Sequence, residues 1–337
     1  MDATRECEYA ELTLRVLLER SATPPSRDID WELWARIAEG NRVMVRLAER
    51  LSHVPAAPPP AFTEAAAREG ARAQAFYNAM RRVDAACARW KIPHVFLKAT
   101  RHYPDAGRDV DMLVPLGTRI DEVLVSDLQA TPRRNGLAER VAGSSGFLID
   151  GAVVLDVHHG RLGLCGEQRF LAELVLERAQ PVDVGGVTLG GLSASDEVLL
   201  QGAQLVYGRR SFRMTEALYT INAVREQRVD WDELIRSAER VGVLAGLSCY
   251  LTYVRRIHQH VFERALLPDA VTRRLSASGW GTVEFSRGEF RFPRMAVGAR
   301  VYWGQLAADI TARRWRSAAR VGLMPLLAAA AALRGLT

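Results

Sequence analysis

Asp109-Val110-Asp111, running straight into Met112-Leu113-Val114, is the stretch that most limits what this chain can fold into. The apolar run reads as a short buried strand, and alternation along a strand puts residues 109 and 111 on the same face. Two carboxylates on one face repel each other unless a cation lies between them. Hard oxygen ligands suit Mg²⁺, which binds through one or two carboxylates together with substrate phosphates. A second strand pattern, Val153-Val154-Leu155-Asp156-Val157, carries a third carboxylate. Asp156 on a neighbouring strand would complete a two-metal site for in-line phosphoryl chemistry. A surface strand end can carry two acids by chance, so the flanking residues decide.

Residues 92–100, Ile-Pro-His-Val-Phe-Leu-Lys-Ala-Thr, read as a short apolar strand ending in Lys98 and Thr100. A turn-rich link with Pro104 and Gly107 follows, and Arg108 stands directly before the acids. Two cations and a hydroxyl beside a carboxylate cluster are what a triphosphate requires, because its charge exceeds what the metals neutralise. The plain alternatives are a solvated strand end for Lys98 and a salt bridge to Asp109 or Asp111 for Arg108.

Phe96-Leu97-Lys98, Tyr103-Pro104-Asp105 and Arg108-Asp109-Val110-Asp111-Met112-Leu113-Val114 together resemble the LKG…YPD…R…DIDLLV core of the uncharacterised bacterial nucleotidyltransferases of the polymerase-β superfamily. Val154-Leu155-Asp156-Val157-His158 resembles that family's third-Asp strand. Leu192 to Leu200 and Val229 to Leu234 resemble its SPEDLLL and DWDEL helix starts. The resemblance covers roughly residues 90–270. It implies an α+β fold: a polymerase-β-like nucleotidyltransferase core, a mixed sheet flanked by helices, with N-terminal helices and a C-terminal helical domain. It implies that Asp109, Asp111 and Asp156 are catalytic and hold two Mg²⁺ ions. Lys98, Thr100 and Arg108 would bind the nucleotide. The family's Gly after Lys is Ala99 here, and in the wider superfamily Gly-Ser stands where Ala99-Thr100 stands; backbone close to phosphate favours Gly. The family's helix His is replaced by Gln201 or Gln204.

Four regions are expected: N-terminal helices over 1–90, the catalytic core over 91–192, a helical domain over 193–270, and an extension over 271–337. Periodic apolar residues predict helices before residue 52, with Asp28 or Asp30 as a helix start before Trp31. A long helix is expected from Thr63 to Trp90, and another from Asp121 to Asn135. Strands are expected at 93–98, 109–114, 147–149, 153–158 and 187–190, with Asp150-Gly151 as a hairpin turn. Residues 193–267 read as three helices starting near Ser195, Trp231 and Gly242. Tyr207, Arg209, Arg210 and Arg213 cluster there; Arg209 and Arg210 are candidate substrate contacts, against the plainer reading of a solvated basic segment. Arg101 and His158 are further candidate contacts, and His158 alternates onto the face of Asp156. Residues 284–285 and 289–292 read as two short strands. Ile310 to Arg334 reads as a helix, basic and then apolar, that packs on the core or on a partner protein. Its apolar run is too short for the roughly twenty residues that span a bilayer, though a membrane-surface contact is an alternative.

The charge of +6 is carried almost wholly by arginine, Lys91 and Lys98 being the only lysines. That balance suits anionic substrates and leaves nucleic acid open as a partner. Cys7, Cys87, Cys165 and Cys249 have no C-x-x-C spacing, so zinc is not expected, and reduced cytoplasmic thiols are the default. The polar start of the chain reads as no signal peptide. The expected reaction moves an NMP, AMP in the first instance, from an NTP to an unidentified acceptor and releases pyrophosphate. That acceptor is a small molecule or peptide of a biosynthetic pathway; transfer to tRNA or protein, and a non-catalytic module keeping the fold, are the alternatives.

Overall fold

A computed structural model of the protein describes residues 3–19, 29–53, 57–134, 136–209, 211–275, 280–286 and 288–323. It is a mixed α+β fold. Helices α1 (Ala3–Leu18), α2 (Trp31–Gly40) and α3 (Met44–Leu51) open the chain, followed by the long α4 (Pro60–Arg89). Asp30 caps α2 by accepting the Leu33 N–H at 3.0 Å; Asp28 lies outside the described residues. Pro60 starts α4 at the position where its missing N–H costs nothing.

Strand β1 (Val95–Leu97), the one-turn helix α5 (Ala99–His102) and β2 (Val110–Val114) come next. Helix α6 (Ile120–Leu128) is shorter than the expected Asp121–Asn135. Gln129 takes a left-handed φ of 51°, which ends the helix and releases β3 (Thr131–Pro132) to pair with β4. Helix α7 (Leu137–Ala142) is followed by the hairpin β4 (Ser144–Ile149) and β5 (Val153–His159). Asp150 and Gly151 both have positive φ in its turn, the conformation that the Asp-Gly pair predicts. The five strands lie in the order β1-β2-β5-β4-β3, with β2 and β5 parallel and the other neighbours antiparallel.

The expected strand at 187–190 is β7 (Val187–Gly191), which pairs with β6 (Gln180–Val184) as a separate hairpin beyond α8 (Arg169–Glu177). Four helices rather than three fill the helical region: α9 (Ala194–Ala203), α10 (Met214–Arg225), α11 (Trp231–Val241) and α12 (Leu244–Phe262). A π-helical turn, Gln204–Arg209, and a two-residue strand, β8 (Ser211–Phe212), split off α10. After α13 (Asp269–Leu275), strands β9 (Glu284–Ser286) and β10 (Glu289–Arg291) complete a small sheet with β8. Helix α14 (Arg294–Thr311) and a further helix over 315–323 end the described chain, so the expected single helix from Ile310 is two helices here, and its apolar end lies outside the described residues. Among the described residues no helix is long and apolar enough to cross a membrane.

The sheet has two different faces. Phe96, Val110, Met112, Val114, Leu155 and Val157 pack under α4 and α6 against Phe76, Met80, Val83 and Leu124. The opposite face carries Leu97 and Leu113, which join the core shared by α1–α3, α9, α10 and α12. Fully burying an aromatic or branched side chain contributes roughly 1.5–3 kcal/mol. Both faces are therefore anchored, and polar residues on the second face are held between sheet and helices.

A half-buried polar pair ties α4 to the sheet edge. His94 Nε2 meets Asp84 Oδ1 at 3.0 Å, and Asp84 also accepts the Gly190 N–H at 3.1 Å. Burial opposes charge on His94, but the Asp84 hydrogen bond and the Cys87 contact outweigh it and push the ring up to about 10. A raised folded pKa gives stability that is complete below the unfolded value of about 6.5 and is lost as pH rises towards 10. The urea midpoint of the wild type is therefore expected to fall between pH 6.5 and 10 by more than that of His94→Gln. Parallel pH profiles would show that the pair contributes no such charge.

Candidate active site

Strand register builds the site. Asp111 is directly opposite Asp156 across the parallel β2–β5 pair, and opposite Leu97 across the β1–β2 pair. Directly opposed residues share a face, so Asp111, Asp156 and His158 stand on the side away from α4. Asp109 is half-buried in the bend before β2. Lys98 follows β1 in a left-handed conformation, φ 67°, and its ammonium contacts Asp111 Oδ2. His158 Nε2 lies 3.3 Å from Asp111 Oδ1. His159 points to the other side, to Ser145 Oγ at 2.8 Å and Asp121 at 3.4 Å, and belongs to the scaffold.

The three acids are not alike. Burial alone would raise the Asp111 carboxyl, but Lys98 and His158 hold it far below the usual carboxylate range. Asp156 is pushed up to about 6, first by burial and then by the negative charges of Asp111 and Asp109. Arg133, just beyond β3, reaches only 3.9 Å from Asp156 Oδ1 and leaves that charge largely uncompensated. Among the described residues no three His, Cys, Asp or Glu side chains already stand together as metal ligands, because Asp111 is turned onto Lys98 and His158. The all-oxygen donor set and the excess of negative charge at Asp156 nonetheless fit a hard divalent cation.

The loop that delivers Lys98 is fixed by residues with no obvious signal of their own. Glu197, in the first turns of α9 behind the Ser193 cap, accepts the Lys98 backbone N–H at 2.9 Å. Its other oxygen takes Arg101 Nη2 at 2.9 Å, with both side chains almost fully buried. Arg101, a candidate substrate contact from the sequence, is thus turned inward as a brace; the pull of Glu197 outweighs the exposure expected of a loop arginine. Asp105 binds the Val45 N–H and Arg46 Nε, each at 2.7 Å, and so anchors the Tyr-Pro-Asp turn to α3. His102 is fully buried, and burial with Arg42, Arg101, Lys98 and Arg46 around it keeps its ring well below ordinary values and neutral.

Other expected contacts are placed less centrally. Thr100 stands on the single turn of α5, two positions after Lys98. Arg108 is exposed beside Asp109, and Arg209 is exposed at the end of the π-helical turn. Arg210 lies outside the described residues. Glu197 lies in the helix start that follows Leu192 and Asp105 in the Tyr-Pro-Asp turn, but no local pattern marks either as a brace. Arg133 and Arg42 carried no signal.

A family model described as an uncharacterised nucleotidyltransferase matches residues 27–259 of the chain. That span runs from α2 into the last turn of α12 and includes every residue of the candidate site. No curated protein matches the chain.

Proposed function

The chain belongs to this uncharacterised nucleotidyltransferase family and is a transferase, and we propose that Asp109, Asp111 and Asp156 carry out its transfer in a polymerase-β-like core. The observation that carries the reading is the register that sets Asp111 against Asp156 on one face, with Lys98 beside them. An acceptor oxygen attacks the α-phosphorus of an NTP, AMP being the group moved in the first instance. The new P–O bond forms as the α–β phosphoanhydride breaks, and pyrophosphate leaves. The three carboxylates would hold Mg²⁺, which would neutralise the triphosphate and lower the acceptor's pKa.

The protein's own groups supply the rest. The Lys98–Thr100 turn and Arg108 bind phosphate oxygens, orienting the chain of the triphosphate for in-line attack. Asp156 would help draw the proton from the acceptor's hydroxyl. His158 keeps Asp111 oriented. The acceptor is a small molecule or peptide bearing a hydroxyl or phosphate.

Lys98→Ala tests the nucleotide side directly. Its affinity for a Mg²⁺–ATP analogue with a non-cleavable α–β linkage, measured by calorimetry, is expected to fall about ten-fold or more, in line with about 1.5–3 kcal/mol for a charge-assisted contact. The circular dichroism spectrum should not change. Wild-type affinity in the variant would remove Lys98 from the site.

A further inference from the structure

Arg42 lies in the turn between α2 and α3, with a left-handed φ of 56° and only 8% of its surface exposed. Its neighbour Asn41 fixes the turn. Asn41 Oδ1 accepts the Met214 N–H at 2.9 Å, while its amide donates to the Gly288 carbonyl at 2.8 Å. Met214 opens α10, so the same clamp brings Arg213, the residue capping α10, up to Arg42. Arg213 gives one nitrogen to Glu289, Nη2 to Oε1 at 3.4 Å. Its Nε and Nη1 are buried and have no hydrogen-bond partner. Arg42 has no side-chain hydrogen bond or ion pair among the described residues.

The surroundings are strongly cationic. Burial first, and then the charges of Arg213 and Arg209, pull the Arg42 guanidinium down to about 10. Glu216 and Asp109 are the acids in range of Arg42, and neither forms an ion pair with it. Glu216 already accepts the Arg213 backbone N–H at 2.7 Å. Desolvated guanidinium groups set side by side are costly unless an anion lies between them. The planar fork of arginine matches phosphate oxygens two at a time. Asp109 places this cluster at the edge of the candidate active site.

We propose that Arg42 and Arg213, flanked by Arg209, form a phosphate-binding subsite beside Asp109. The phosphate comes either from the terminal part of the NTP or from a phosphorylated acceptor. The choice between those sources rests on the proposed transferase site; the binding of phosphate does not.

The test is calorimetry on the full chain with inorganic phosphate, pyrophosphate and a non-cleavable Mg²⁺–ATP analogue as probes. Arg42→Gln and Arg213→Gln are compared with wild type, with Arg42→Lys as the variant that keeps the charge but not the fork. Affinity for at least one probe is expected to drop about ten-fold or more in both glutamine variants, and less in Arg42→Lys. Loss for pyrophosphate and the ATP analogue assigns the subsite to the triphosphate. Loss of inorganic phosphate binding to analogue-loaded protein, with analogue affinity intact, assigns it to the acceptor. Phosphate binding that needs both arginines in a wild type that binds no nucleotide would keep the subsite and overturn the transferase site. Unchanged affinity for every probe in folded variants would overturn the subsite. Arg213 is partly exposed, so its variant carries the test if Arg42→Gln does not fold.

Discussion

Asp111→Asn is expected to lose nucleotide transfer by two orders of magnitude or more while remaining folded, since positioning and charge stabilisation carry most of this chemistry. The substitution keeps the volume and removes one charge from the carboxylate that meets both Lys98 and His158. Two effects on stability oppose each other. Repulsion on Asp156 is relieved, but the half-buried Lys98 ammonium loses its anion. The second effect is the larger, because Asp111 is engaged at both oxygens, and a net loss of about 1–3 kcal/mol follows. Urea unfolding measures that loss, and single-turnover transfer at saturating nucleotide measures the chemistry. A folded variant with wild-type transfer would make the carboxylate structural.

Glu197→Ala is expected to have the largest effect on stability, about 3–5 kcal/mol, because breaking a buried ion pair leaves an uncompensated charge. Arg101 would stay fully buried without its carboxylate, and the Lys98 N–H would lose its acceptor. The penalty belongs chiefly to the stranded guanidinium. Arg101→Met in the Glu197→Ala background should therefore recover much of it, since apolar replacement of a whole buried pair is close to neutral. Denaturant midpoints of the single and double variants decide this. A single variant within about 0.5 kcal/mol of wild type, as at ordinary surface sites, would mean that the pair braces nothing. Because Glu197 acts through the Lys98 loop, nucleotide affinity should fall with it and return only in part with the double variant.

The placement of Asp111 and Asp156 was legible because strand alternation is local. Asp111 falls on the face that alternation along Val110–Val114 gives it, and Asp150-Gly151 announced the hairpin that carries Asp156. Asp109, by contrast, stands in the bend before the strand. The parallel pairing that sets Asp156 beside Asp111 is a long-range outcome that no local pattern states. Arg101 misled by proximity: it follows Lys98 in the chain, but Glu197, far along the sequence, draws it inside. Arg42 erred in the other direction, standing far from the acids in sequence until Asn41 clamps its turn to α10. Helix α6 ended early on a left-handed Gln129, a residue without the usual glycine signature of such a cap. The π-helical turn and β8 interrupt an apolar periodicity that otherwise reads as one continuous helix.

The central claim is that Asp111 and Asp156 act as one unit on a nucleoside triphosphate. Pyrophosphate release measures it most directly, using Mg²⁺–ATP with the small-molecule fraction of a bacterial extract as acceptor source. Wild type is compared with Asp111→Asn, Asp156→Asn and the double variant. Residues of one catalytic unit are strongly non-additive, so the double variant should be no slower than the worse single one, with all three far below wild type. Release at the wild-type rate in the folded double variant would contradict the assignment.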